Sequence, residues 1–317
     1  MKEILLQILQ AFGFGVVVPG LMFSINQPAV PLKEEKTPAQ VQIQQEQSAP
    51  QQILIPVLKD GQVVQMELEE YISRVVFGEI STGFEPEAIK AQAVAARTYT
   101  LRCIESGKKH TQGAVCTDHR CCQAYKEPEG TEDGLDKLYD AVEQTRGQVL
   151  YYEDALINAT YFASSGGMTE DAQAVWGAEY PYLQSVESPG EEDCGYFGNQ
   201  ISFTAKEFQD KLGVSLTGKP KDWFGMVTYT DSGSVELIRI GGKLYTGVEL
   251  RKLLGLRSTM FSVETTTDTI TFTTNGYGHR VGMSQYGADA MAVGGSSYQE
   301  ILAHYYQGTE LKTYQAD

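Results

Sequence analysis

Between Glu69 and Cys103 the apolar positions fall at helical spacing, break once, and resume. Tyr71, Ile72, Val75, Val76 and Phe77 mark one face of a first helix. Ser81-Thr82-Gly83 stops it. Pro86 suits the first position of a second helix, which runs on through Ala88, Ala91, Ala93, Ala95 and Ala96. Around this pair the pattern predicts hairpins and short helices. Ile55-Pro-Val-Leu and Val63-Val-Gln-Met flank Asp60-Gly61, a turn signal. Residues 135–145 predict a helix, 148–152 and 155–163 two strands around Glu153-Asp154, and 164–177 a loop of small residues. A helix over 203–212 carries Thr204 as a cap, with Glu207 three residues on. A hairpin over 227–240, a helix from Thr246 to Leu254 and a third hairpin over 261–274 follow. A Gly-rich loop, 275–282, leads into two short helices ending near Tyr306. Hairpins interspersed with helices imply an α+β fold, a single mixed domain over residues 53–317.

Two stretches precede that domain. Residues 4–25 carry no charge and are long enough to cross a bilayer, so residues 1–26 are expected to form an uncleaved membrane anchor. A signal peptide is the rival reading, but the run lacks a basic leader and a small-x-small cleavage site. Residues 27–52, rich in Pro and Gln, read as a disordered linker. The net charge of −16 and pI near 4.7 argue against a nucleic-acid partner.

One acid stands out. Glu79 closes the first helix among Val75, Val76, Phe77 and Ile80. Apolar neighbours disfavour a charged carboxyl, and so does the negative end of a helix dipole. Those are the conditions for a proton donor at neutral pH, although a surface Glu at a helix end is the plainer reading. Four of the five cysteines cluster just downstream. His110, Cys116, Cys121 and Cys122 offer a tetrahedral zinc set, with His119 the alternative to Cys121. A disulfide or free thiols are the competing states. Ser164 and Ser165, beside Gly166 and Gly167, do not match a nucleophile elbow; they suit a tight turn or the lining of a polysaccharide groove. Tyr277, His279 and Gln285, in a second Gly-rich loop, offer flat faces and polar partners for sugar rings. That loop is no Walker motif, and no H-E-x-x-H occurs.

Four separated motifs together resemble the SpoIID family, stage II sporulation protein D. They are Tyr71-Ile-x3-Val-x2-Glu79 with the run from Phe84 to Tyr99; Cys122-Gln-Ala-Tyr125; Ser164-Ser-Gly-Gly-x-Thr169 with Val175-Trp-Gly and Pro181-Tyr-Leu; and Gly278-His-Arg-Val-Gly-Met-Ser-Gln-Tyr-Gly-Ala288. The resemblance implies a peptidoglycan lytic transglycosylase. Such enzymes cut peptide-stripped glycan strands between N-acetylmuramic acid and N-acetylglucosamine and leave 1,6-anhydro ends. It also implies work during engulfment in sporulation, beside a cell-wall amidase and a membrane scaffold. The catalytic domain would lie outside the cytoplasm, on the mother-cell side of the septum. By that likeness Glu79 is the catalytic acid, Ser164, Ser165, Tyr277, His279 and Gln285 are substrate-binding candidates, and the His110/Cys116/Cys121/Cys122 loop holds a structural zinc. Some relatives of this domain are amidase modifiers, so a non-catalytic wall binder is the alternative.

Overall fold

The structure is a computed structural model and describes residues 52–128 and 133–316. The expected anchor and all but the last residue of the expected linker lie outside the described residues. Among the described residues, no helix is long and apolar enough to cross a membrane.

The chain opens with a hairpin of β1 (Leu54–Lys59) and β2 (Gln62–Glu67), turned at Asp60 and Gly61 with positive φ at both. The helix pair follows as α1 (Leu68–Glu79) and α2 (Pro86–Ser106). A short β3 (Val115–Cys116) returns parallel to β1. Then come α3 (Leu135–Gln144), β4 (Gln148–Tyr152), β5 (Ala155–Leu156), β6 (Tyr161–Phe162) and α4 (Ala172–Trp176). The next stretch runs β7 (Asn199–Thr204), α5 (Ala205–Leu212), β8 (Phe224–Tyr229), β9 (Val235–Ile240), β10 (Lys243–Thr246), α6 (Gly247–Leu254), β11 (Phe261–Thr265) and β12 (Thr269–Thr274). The chain closes with β13 (Met283–Ser284), α7 (Gln285–Val293), α8 (Tyr298–Tyr305) and β14 (Glu310–Thr313).

The mixed α+β architecture has two hydrophobic cores. One surrounds α2, which packs on α1, α3, α7, α8 and β4. A helix touched on so many sides needs small side chains, and Ala88, Ala91, Ala93, Ala95 and Ala96 supply them, each almost fully buried. Arg97 on the same helix is fully buried too. It is neutralised by Glu69 of α1, with Nε 3.0 Å from Oε1 and an Nη2 contact to Oε2 at 2.5 Å. The second core belongs to the stretch from β7 to β12. It is aromatic, with Phe203, Phe208, Trp223, Phe261 and Phe272 buried together. Its sheets have the orders β10-β9-β8 and β11-β12-β7. Both its helices begin with complete capping boxes, Thr204 with Glu207 and Thr246 with Glu249.

Three sequence expectations shift. Phe203 is not helical: it sits in β7, paired with Ile270, and the helix starts only after its Thr204 cap. The strand expected over 155–163 breaks into β5 and β6, because the first pairs with β4 and the second with β13. The loop over 164–177 contains α4, capped by Asp171.

Arg280 ties the two cores together. It is fully buried, and its left-handed φ of 68° turns the guanidinium inward. It donates to the carbonyls of Ser165 at 2.6 Å, Met168 at 2.7 Å and Ser232 at 2.9 Å, and also to Glu170 and Ser234. Segments from the first lobe and from the β8–β9 turn therefore share one fixed cation.

Candidate functional site

Glu79 is placed by backbone, not by its own helix. The α1 helix ends at this residue, with Ile80 extended behind it. Gly78 lies so close to the next segment that an added Cβ would meet the Tyr125 nitrogen at 2.9 Å. That close approach lets the Ala124 amide donate to Glu79 Oε1 at 2.6 Å. From the far end of the chain, the Gln285 amide reaches Oε2 at 3.5 Å. Gln285 opens α7, whose cap is Ser284, and β13 just before it pairs in parallel with β6. This pairing brings Tyr161 to the same place. The Tyr161 hydroxyl donates to Gln123 Oε1 at 2.8 Å, and Gln123 in turn donates to Thr100 at 2.8 Å.

Burial raises the pKa of Glu79 above the usual carboxyl value; the hydrogen bonds from Ala124 and Gln285 only partly offset it. The desolvated neutral form is favoured, as a proton donor requires. Tyr161 is pushed well above its usual value, chiefly by burial and then by the neighbouring Glu79, so its hydroxyl stays protonated.

The carboxyl faces a cleft of about 790 Å³. Aromatic rings from several segments line it, among them Tyr99, Tyr161, Phe162, Tyr196 and Tyr277. Tyr196 and Tyr277 lie 5.1 Å apart, with the Arg257 guanidinium 5.6 Å from the first ring and 5.9 Å from the second. His279 packs between Phe162 and Trp176 at 5.4 and 5.5 Å. Its Nδ1 accepts the Val281 amide at 3.1 Å, which leaves the proton on Nε2. Burial, helped by the nearby Arg251 charge, drops its pKa to about 4, so the ring is neutral. Gly278 permits this packing: at φ 127° it lies against Phe162, whose Cβ an added methyl would meet at 2.6 Å.

Of the sequence candidates, Glu79, Tyr277, His279 and Gln285 come together in this cleft. Ser164 and Ser165 do not. Both are fully buried, held by a carboxylate the sequence did not flag. Glu191 accepts the Ser164 hydroxyl at 2.7 Å and both the Ser165 amide and hydroxyl, at 2.8 and 2.7 Å. Their work is to brace the loop behind the cleft, since Ser164 bridges to Tyr277 through the backbone. Tyr161, Gln123, Tyr196 and Arg251 were missed as lining residues. Only Gln123 left a sequence signal, within the Cys122-Gln-Ala-Tyr125 motif.

Beside the cleft, the donor atoms of His110, Cys116, Cys121 and Cys122 all lie within 4.8 Å of one another. His110 Nε2 is 3.3 Å from Cys121 Sγ and 3.5 Å from Cys122 Sγ. Around a tetrahedral zinc, with bonds of about 2.0–2.3 Å, ligand atoms are about 3.3–3.8 Å apart. Both of these His110–thiol separations fall in that range, and three thiols with one imidazole are a donor set that suits zinc. All five cysteines are free. His119 points elsewhere, with its side chain 74% exposed, next to Asp118 and the cleft.

An α+β domain with one desolvated acid in an aromatic-walled cleft is thus the class that fold and site define. Comparison with known proteins narrows it. A family model, "Stage II sporulation protein", matches residues 59–152. Stage II sporulation protein D of Bacillus subtilis is 41% identical over 272 residues, covering 82% of this chain and 79% of that protein. Its counterpart in Bacillus amyloliquefaciens is 40% identical over the same length. The Amidase enhancer of Bacillus subtilis is 30% identical over 76% of this chain, but only 40% of its own length is covered. The chain belongs to the stage II sporulation protein D family of sporulation proteins.

Proposed function

We propose that this chain is a lytic transglycosylase that cuts peptide-stripped peptidoglycan between N-acetylmuramic acid and N-acetylglucosamine. The observation that carries the reading is Glu79, a carboxyl whose pKa burial raises, at the wall of a sugar-sized aromatic cleft. Glu79 donates its proton to the glycosidic oxygen as the C1–O bond breaks. The muramoyl C6 hydroxyl then attacks C1, closes the 1,6-anhydro ring and returns a proton to Glu79. The nucleophile is already part of the substrate, so high effective concentration replaces an activated water. One carboxyl suffices, unlike the pair most glycosidases use. Ala124 and Gln285 hold the carboxyl in register, and Tyr161 keeps the Gln123 side of the wall in place. Tyr277 and Tyr196 offer stacking faces, and neutral His279, packed between Phe162 and Trp176, shapes the floor.

Zinc at His110, Cys116, Cys121 and Cys122 would be structural, because four protein ligands leave no site for water. It would fix the loop two residues before Ala124, and so the amide that orients Glu79. The apolar run over residues 4–25 would tether the domain to a membrane, beside an amidase and a membrane scaffold at the engulfing septum.

The test is mass analysis of products from peptide-free strands. The native protein is expected to release 1,6-anhydro fragments, and Glu79→Gln to lose about 10²–10⁴ of that rate while still binding. Undiminished cleavage by the variant would remove the assignment. Absence of cleavage by the native protein, with binding intact, would favour the second reading, a wall-binding amidase modifier, which the Amidase enhancer relative supports. For the metal, elemental analysis should return one zinc per chain, and Cys122→Ser should lose it.

A further inference from the structure

Arg251 stands in the cleft wall without an acidic partner. It belongs to α6, in the lobe with the aromatic core. Its Nε donates to the Arg257 carbonyl at 3.2 Å. That bond steadies the head group, and no acceptor among the described residues takes the terminal N–H groups. The two fully buried arginines each meet a carboxylate, Arg97 with Glu69 and Arg280 with Glu170, whereas half-buried Arg251 meets none among the described residues. The chain has 41 acidic residues against 25 basic ones, yet among the described residues none pairs with Arg251. Among the described lining residues, Glu79 is the one acid and Arg251 the one permanent cation. A half-buried guanidinium with its outer fork free, in the wall of a cleft, is suited to receive a planar oxyanion from the ligand.

We propose that Arg251 is a specificity-determining residue that binds a free carboxylate on the glycan, the lactyl carboxylate of a muramoyl ring. The proposal rests on the reading of this cleft as a glycan site. A lactyl group is a carboxylate only when no peptide is joined to it; with a stem peptide it is a neutral amide. The amide offers one uncharged acceptor where the carboxylate offers two charged ones, and charge-assisted bonds are roughly twice as strong. A peptide-bearing ring therefore leaves Arg251 desolvated and poorly paired. A strand of N-acetylglucosamine alone leaves it with nothing. Arg251 thus converts the state of the lactyl group into affinity, and the reaction that must come first is hydrolysis of the lactyl–peptide amide. It also answers an electrostatic problem: a chain of net charge −16 must attract a polyanionic strand into one cleft.

The experiment compares three ligands: glycan strands with free lactyl carboxylates, the same strands with those groups converted to methylamides, and chitin oligomers. Binding is measured on the Glu79→Gln protein, and turnover on the native one. The free-carboxylate strand should bind about 10- to 100-fold more tightly than the methylamide, with the gap closing as salt is added. Adding Arg251→Gln should bring the two strands close to parity by weakening the first, and in turnover should raise KM with kcat little changed. Arg251→Lys keeps the charge but loses the fork, and should retain only part of the preference; it also serves if the Gln variant fails to fold. A native preference that survives Arg251→Gln at unchanged Tm, or no preference in the native protein, overturns the proposal. Preference in binding without any cleavage would overturn the transglycosylase reading and leave this one standing.

Discussion

The two lobes of this domain are built on opposite packing rules. Around α2 the core is made of small side chains, so that five elements can close on one helix. Between β7 and β12 the core is made of large rings: Phe208 alone contacts Phe203, Trp223, Phe224 and Phe272. The first lobe fails by being overfilled, the second by being emptied. They also divide the site. The alanine-packed lobe supplies the carboxyl, while the ring-packed lobe supplies Arg251 and holds Arg257 beside the tyrosines. Acid and cation thus rest on separate cores, joined through Arg280.

That contrast can be broken from either side. The largest effect is expected for Phe208→Ala, which empties the centre of the aromatic cluster and should cost about 3–5 kcal/mol by denaturant melting. The loss should appear first in the exchange protection of β7 to β12, while α1 and α2 stay protected. Ala93→Leu is the converse. It adds volume where α2 has none to spare, and should cost about 1–3 kcal/mol in the same assay. A truncation there, Ala93→Gly, should cost less, about 1 kcal/mol, from helix propensity. If Ala93→Leu proved neutral, the tight-packing account of α2 would be wrong.

The smallest effect sharpens the picture of Glu79. Its folded pKa is raised by burial. The native state therefore holds a proton that the unfolded chain has already released, and stability falls as pH rises from the unfolded pKa through the folded one. Glu79→Gln removes that penalty. It should match the native Tm at pH 4 and exceed it at pH 8, by about 2–4 °C for each kcal/mol recovered. The same titration predicts a cleavage rate that declines above the folded pKa of Glu79, because the donor is then lost.

Much of this was legible in the sequence, for a physical reason. The helix pair, the Asp60-Gly61 hairpin and the Thr204 cap depend on neighbours within a few residues. The metal-fit cluster was legible too, since its four donors lie within one loop. What escaped depends on distant pairing. Phe203 is claimed by β12, some 67 positions away, before its own helix starts. Ser164 and Ser165 read as groove residues because nothing in their own stretch reveals Glu191. Tyr161 enters the site only because β6 pairs with β13. Arg251 carries no mark in its own stretch, and its isolation shows only when the other cleft residues are known.

Gln285 reaches Glu79 across 206 positions of chain. A chain still being made has its carboxyl early and the Ala124 amide soon after, but the Gln285 contact arrives almost last. The order of synthesis therefore sets an interval in which the acid is made but its grip is incomplete until the final helices have folded.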